Sequence, residues 1–277
     1  MKPPVLNAYE VRNADYSVVH AESESDFDQF IAALNVKDGE KVIDVGGGYG
    51  SVMIRLLQRQ PQVSFAYDLL DGGMFQLKKG EEQISALLER HQNTSVVRYL
   101  HQDAGELTLE PEHYDLVICK MFLHELPAHV QKKLIGDLYK IIKPGGRIVV
   151  WNPDLEAADH RFFASVIRKK DELAGFGSMV QNRHFLLNDD FRDLMLEAGF
   201  VNFQKLFTFD YHLHTINRLD QEFAGDRSKL TAWNEHILHI AHELGADTFK
   251  KLNINTNDDD IYINFKRGIF SLQKPVR

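Results

Sequence analysis

Three groups of residues in this chain have the types and spacing that chemistry uses. The first is Val42-Ile43-Asp44-Val45-Gly46-Gly47-Gly48-Tyr49-Gly50, an apolar run holding one acid and then broken by glycines. Glycine at a strand-to-helix turn accepts positive φ and leaves no Cβ in a ligand's path, while the following helix offers free N–H groups. Such a turn docks a nucleotide or nucleoside. The second group is His124-Glu125, which follows the apolar run Tyr114 to Cys119 and could supply a general base. The third is His236, His239 and His242 with Glu243 beside them. Steps of three drift around a helix, and no H-E-x-x-H run is present. These histidines therefore read as surface or pocket-lining residues, and no metal site is expected.

The glycine turn leaves two ligands open, a dinucleotide and S-adenosylmethionine. The dinucleotide pattern G-x-G-x-x-G finds Gly46 and Gly48 but meets Ser51 at its third place. The chain instead reads Asp44-x-Gly46-x-Gly48-x-Gly50. A carboxylate at Asp44 disfavours a nearby pyrophosphate and suits the α-ammonium of S-adenosylmethionine. This pattern resembles motif I of the class I S-adenosylmethionine-dependent methyltransferases, and the resemblance runs from about Lys41 to Trp151. It implies a ribose-chelating role for Asp68, next to Leu69, at the end of the second strand. It also implies adenine recognition by Asp103 in Gln102-Asp103-Ala104. Lys120 stands where the fourth strand opens onto the cofactor. Lys143-Pro144-Gly145-Gly146-Arg147 is similar to the turn that precedes the family's fifth strand.

His124-Glu125 resembles the His-Asp pair of small-molecule O-methyltransferases of the plant phenolic type, whose histidine is the general base. That resemblance makes His124 the candidate catalytic residue. The departures are a short leader in place of a large N-terminal domain, Glu125 for Asp, and Leu126 for the pair's tryptophan partner. A structural histidine near the start of the next helix is the competing reading.

These residues must be positioned by strands and helices in alternation. Strand-like runs at Lys41 to Val45, Val63 to Tyr67, Val96 to Leu100, Tyr114 to Cys119 and Arg147 to Trp151 alternate with helical stripes. That rhythm predicts an α/β fold: a doubly wound, mostly parallel sheet of seven strands, Rossmann-like, with a helical insertion before the last strand. One domain over 1–277 is expected, with a leader to 36, an α/β core at 37–211 and 259–277, and an insertion or lid at 212–258. Tyr9 and Tyr16 could fold over the cofactor. Phe162, Phe163, Phe176, Phe185, Tyr211 and Trp233 could shape an apolar or aromatic acceptor pocket.

Composition narrows the partners. The 277 residues carry a formal charge of −8, which argues against nucleic acid and anionic membranes as partners. The one cysteine, Cys119, fits a reducing cytoplasm. The expected function is S-adenosylmethionine-dependent methylation of a small molecule, at oxygen. An N-, protein- or tRNA-methyltransferase is the alternative, as is a silent cofactor-binding subunit; an oligomer is compatible with either.

Overall fold

A computed structural model describes residues 24–276. Its strands are Lys41–Val45 (β1), Ala66–Asp71 (β2), Val96–His101 (β3), Tyr114–Lys120 (β4), Ile142–Pro153 (β5), Val201–His214 (β6), Asn255–Asn257 (β7) and Asp260–Gln273 (β8). Its helices before β6 are Glu24–Leu34 (α1), Ser51–Arg59 (α2), Met74–His91 (α3), Ala128–Ile141 (α4), Ala157–Leu173 (α5), Gly177–Asn182 (α6) and Asn188–Glu197 (α7). Leu219–Phe223 (α8), Arg227–Leu244 (α9) and Ala246–Lys251 (α10) fill the connection between β6 and β7. Tyr9 and Tyr16 lie outside the described residues.

The sheet runs β3-β2-β1-β4-β5-β8-β6, with the short β7 added along β8. The first five strands pair in parallel, and β8 is antiparallel to both β5 and β6. This is the mostly parallel α/β sheet that the strand–helix rhythm predicts, with an eighth, three-residue strand that is too polar to read as one.

Alternation along the central strands builds two cores. Val117 and Cys119 of β4 join Ile43, Val45, Ile148 and Val150 on one face, under Leu134, Ile135 and Leu138 of α4. Leu116 and Ile118 point the other way, with Val42, Val149 and Trp151, under Phe30 and Ile31 of α1 and Val52 and Met53 of α2. A strand with helices on both faces needs apolar side chains at every position, which explains the nearly unbroken run in β4. A third core joins α5 and α9 to the far ends of β6 and β8, through Phe162, Val166, Trp233, Ile237, Leu213 and Phe265. Trp233 is fully buried there and donates its Nε1–H to the Val166 carbonyl at 2.9 Å.

The second strand is displaced from the expected Val63 to Tyr67. It pairs from Lys41↔Ala66 to Val45↔Leu70 and runs on to Asp71. Asp68, read from the sequence as the strand's end, lies in mid-strand. It is satisfied inside the sheet by the Arg98 guanidinium and the Tyr114 hydroxyl, the latter at 2.5 Å. A charged residue can sit within a buried strand when neighbouring strands supply its partners. No helix among the described residues is long and apolar enough to cross a membrane.

Candidate functional site

The turn between β1 and α2 is set by its glycines. Gly46 has φ +71°, and a Cβ built on it would stand 2.1 Å from the Phe122 ring, so only glycine lets the loop after β4 close over the turn. Gly48, at φ +58°, turns its N–H to the Asp71 carboxylate at 2.8 Å. Beneath the turn, Asp44 is fully buried. Its Oδ2 accepts from the Tyr67 hydroxyl at 2.9 Å, and its Oδ1 is buried without a hydrogen-bond partner. Burial pushes this carboxyl up to about 7, against the opposing pull of Tyr67 and of Lys120. An orphaned carboxylate oxygen at the base of a glycine turn fits a cationic ligand group.

The cleft above the turn lies at the carboxyl ends of the parallel strands, where α/β sheets bind ligands. Asp44, Gly46 and Gly48 line it, as do Asp103, Ala104 and Lys120. Six of the residues expected to hold cofactor thus come together. Asp103 also accepts from the Gly105 N–H at 2.8 Å, so one of its oxygens caps the short turn that follows. The Lys120 ammonium stands over the rings of Phe27 and Trp151, at 5.1 and 5.3 Å.

Asp68 and Leu69 are not in this cleft. Asp68 borders a groove formed where β1 to β4 begin, with Lys41, Val42, Ala66, Val96 and Tyr114, at the opposite end of the sheet. Leu69 is fully buried under Gly47, where a Cβ would meet its side chain at 2.4 Å. The acid of β2 that does reach the cleft is Asp71. Its two oxygens accept from the N–H groups of Gly48 and Gly73, at 2.8 and 2.7 Å. Burial raises its carboxyl above the usual range, while those two N–H groups pull it down. Asp71-Gly72-Gly73, an acid followed by glycines, was the sequence signal for it.

A second chamber adjoins the cleft and shares Met121 and Glu125 with it. Phe163, Phe185 and Tyr211 line this chamber, whereas Phe162 and Trp233 are sealed in the third core and Phe176 belongs to neither cavity. His124 sits in its wall, 8% exposed, with Nδ1 3.1 Å from Asn152 Oδ1 and its ring stacked on Phe185. An amide oxygen only accepts, so Nδ1 carries the proton and Nε2 is the acceptor nitrogen. Burial pushes the imidazole down to about 4, so it is neutral at physiological pH. Cys119 is a core residue whose thiol burial raises. His236 pairs with the Ser165 hydroxyl at 2.9 Å and His242 packs against Phe249, so these two serve helix packing, while His239 is exposed along a surface groove.

A family profile described as a methyltransferase domain matches residues 20–205. The chain belongs to the class I S-adenosylmethionine-dependent methyltransferases. Its cofactor is S-adenosylmethionine. Among curated relatives is the mitochondrial 2-methoxy-6-polyprenyl-1,4-benzoquinol methylase of Caenorhabditis elegans, 24% identical over 187 residues, which are 63% of this chain and 63% of that enzyme. A proposed methyltransferase from Bacillus halodurans C-125 superposes with a TM-score of 0.74 at 18% identity, over 91% of this chain and 100% of its own. Phosphoethanolamine N-methyltransferase 2 of Haemonchus contortus, solved with phosphomonomethylethanolamine and S-adenosylhomocysteine, gives a TM-score of 0.51 at 17% identity, over 98% of this chain and 57% of that one. At such identities the structural likeness is one of fold.

Proposed function

We propose that this methyltransferase acts on a small molecule at an oxygen atom, and that the acceptor occupies the chamber beside His124. The observation that carries the reading is the shared wall of Met121 and Glu125, which places an aromatic-lined space directly beyond the cofactor cleft. The bound cofactor supplies a methyl group on a sulfonium that already leaves readily, so the protein's task is chiefly alignment. In this reading Asp44 meets the cofactor's ammonium and Asp71 its ribose hydroxyls, while Asp103 accepts from the adenine amine and Lys120 bounds the cleft beside Asp44. His124 is held neutral, and its Nε2 accepts from an acceptor hydroxyl and orients it.

A proton acceptor with a pKa near 4 is far from the value near 7 that suits a general base, so His124 positions the acceptor more than it deprotonates it. The net charge of −8 supports a small molecule over nucleic acid, and the single buried cysteine supports a reducing cytoplasm. The test is incubation with methyl-labelled S-adenosylmethionine and a fractionated small-molecule extract, followed by carbon NMR of the product. A labelled methyl on oxygen is expected. Label in protein or RNA fractions, or on nitrogen or carbon, would replace this reading, and no transfer to any fraction would favour a silent subunit.

A further inference from the structure

The chamber beside His124 is lined by aromatic rings and by cations. Lys170, Arg183, Arg218 and Arg267 are each at least nine-tenths buried, and with Lys266 they make five cationic residues in its wall; Glu125 and Glu222 in the wall, with Asp171 and Asp210 beside it, are the carboxylates they pair with. Cations at that depth are costly unless their charge is met.

Each cation is held in place. Glu222 pairs with Lys170 and with Arg218, and Asp171, behind the wall, stands 3.2 Å from the Arg183 Nε. Arg218 also donates to the Tyr211 hydroxyl, and the Arg267 guanidinium lies 3.6 Å from the centre of the Tyr211 ring. Asp210 pairs with Lys266 at the rim. Phe163 packs edge-on against both Phe185 and Phe265, at 5.2 and 4.9 Å, and gives the chamber an apolar side.

We propose that the methyl acceptor is a flat, apolar molecule bearing a carboxylate, bound with its anion against Arg267 and Arg218 and its body against Phe163 and Phe185. The proposal rests on the chamber being the acceptor site. A planar guanidinium fixed by an aromatic ring presents its donors in a fork that matches a carboxylate, and both guanidiniums meet at Tyr211. Arg267 comes from β8, Arg218 from the turn after β6 and Lys170 from α5, so the site is assembled from the helical segment after β5, the insertion and β8. The acceptor's carboxylate and the cofactor's ammonium are thereby received in separate cavities, each by groups of opposite charge.

The experiment is isothermal titration of the full chain, saturated with S-adenosylhomocysteine, using phenylacetate, 3-phenylpropionate and 1-naphthoate and the amide of each. At least one acid should bind about tenfold or more tighter than its amide, and Arg267→Gln should abolish that preference while Arg267→Lys keeps part of it. Titration of S-adenosylhomocysteine into each variant reports whether it is folded. If Arg267→Gln fails there, Arg218→Gln decides by the same criterion.

Acids that bind no better than amides overturn the proposal, as does a preference that survives the loss of the guanidinium; the cofactor reading would still stand. Failure of S-adenosylhomocysteine to bind the unaltered chain would instead sink the reading of the cleft.

Discussion

The Asp71 carboxylate accepts the Gly48 N–H at 2.8 Å, so the end of β2 and the glycine turn after β1 form one hydrogen-bonded unit. A ligand lying on that turn meets the Asp71 carboxylate at its edge. Asp71→Asn should therefore raise the dissociation constant of S-adenosylhomocysteine by about 100-fold, since each hydrogen bond to a charged group contributes about 1.5–3 kcal/mol. Asp68→Asn should change that constant by less than about threefold while lowering unfolding stability by about 1–3 kcal/mol, because the buried Tyr114 hydroxyl loses its charged partner. Calorimetry and urea unfolding of the two variants separate these roles. A reversed pattern would return the ribose site to Asp68.

Asp44 gives cofactor binding a pH dependence. Burial raises its carboxyl from an ordinary value of 3.8 to about 7. In that interval the folded protein binds a proton that the unfolded chain has released. The resulting stability of the cofactor-free protein is fully present below about 3.8 and is lost as pH rises through about 7. Binding a cationic group needs the ionised carboxylate, so the proton must leave first. Affinity for S-adenosylhomocysteine should rise about tenfold from pH 6 to pH 8, and Asp44→Asn should bind weakly with a flat profile. A flat profile in the unaltered protein would place the ammonium elsewhere.

Gly46→Ala should damage the cleft more than its single carbon suggests. The new Cβ would overlap the Phe122 ring at 2.1 Å, on a backbone at φ +71°. The left-handed backbone alone costs about 1–2 kcal/mol for a residue with a Cβ, and the ring must also move. We expect a loss of S-adenosylhomocysteine affinity of more than about tenfold, and a Phe122→Ala change in the same chain should recover part of it. No recovery would show that the backbone, not the ring, is the obstacle.

His124→Gln tests positioning against proton transfer. If the neutral imidazole only orients the acceptor, kcat should fall by less than about tenfold and stay level between pH 6 and 8; a general base would lose about 100-fold or more. Rates of labelled methyl transfer decide the matter once an acceptor is in hand.

Trp233→Ala should cost about 3–5 kcal/mol of stability, the usual range for removing a large buried aromatic side chain. Its indole also leaves the Val166 carbonyl without a donor. Urea unfolding should show the loss, while affinity for S-adenosylhomocysteine at low temperature should hold, because Trp233 belongs to the third core, none of whose residues lines the cleft.

Much of this site was legible where chemistry is written locally. Asp44, Gly46 and Gly48 lie within one turn, and their types alone specify a tight backbone with an acid beneath it. Asp103 stands just past β3 and Lys120 ends β4, and both line the cleft. The second strand was misplaced because Val63, Phe65 and Tyr67 alternate as regularly as a half-buried strand does, and Asp68 then reads as its end. Only pairing with β1 and β3 selects the later register, and with it Asp71 over Asp68. The acceptor chamber was half visible: Phe163, Phe185 and Tyr211 could be suspected by type. Arg183, Arg218 and Arg267 come from three separate stretches of chain; the pairing of β6 with β8 brings Arg218 and Arg267 together, and tertiary packing adds Arg183 to the same cavity.

The sheet order has a further consequence. The cleft draws on β1, β2 and β4, whereas most of the cationic chamber comes from chain after β5: α5, the stretch around Arg183 and Phe185, the insertion, and β8, which lies between β5 and β6 at the other side of the sheet. If the chamber takes the acceptor as proposed, donor capture and acceptor choice rest on largely different stretches of polypeptide, which among the described residues share Met121 and Glu125. Replacement of the chain after β5 that lines the chamber would then redirect such a catalyst to a new acceptor while the machinery that delivers the methyl group remains as it is.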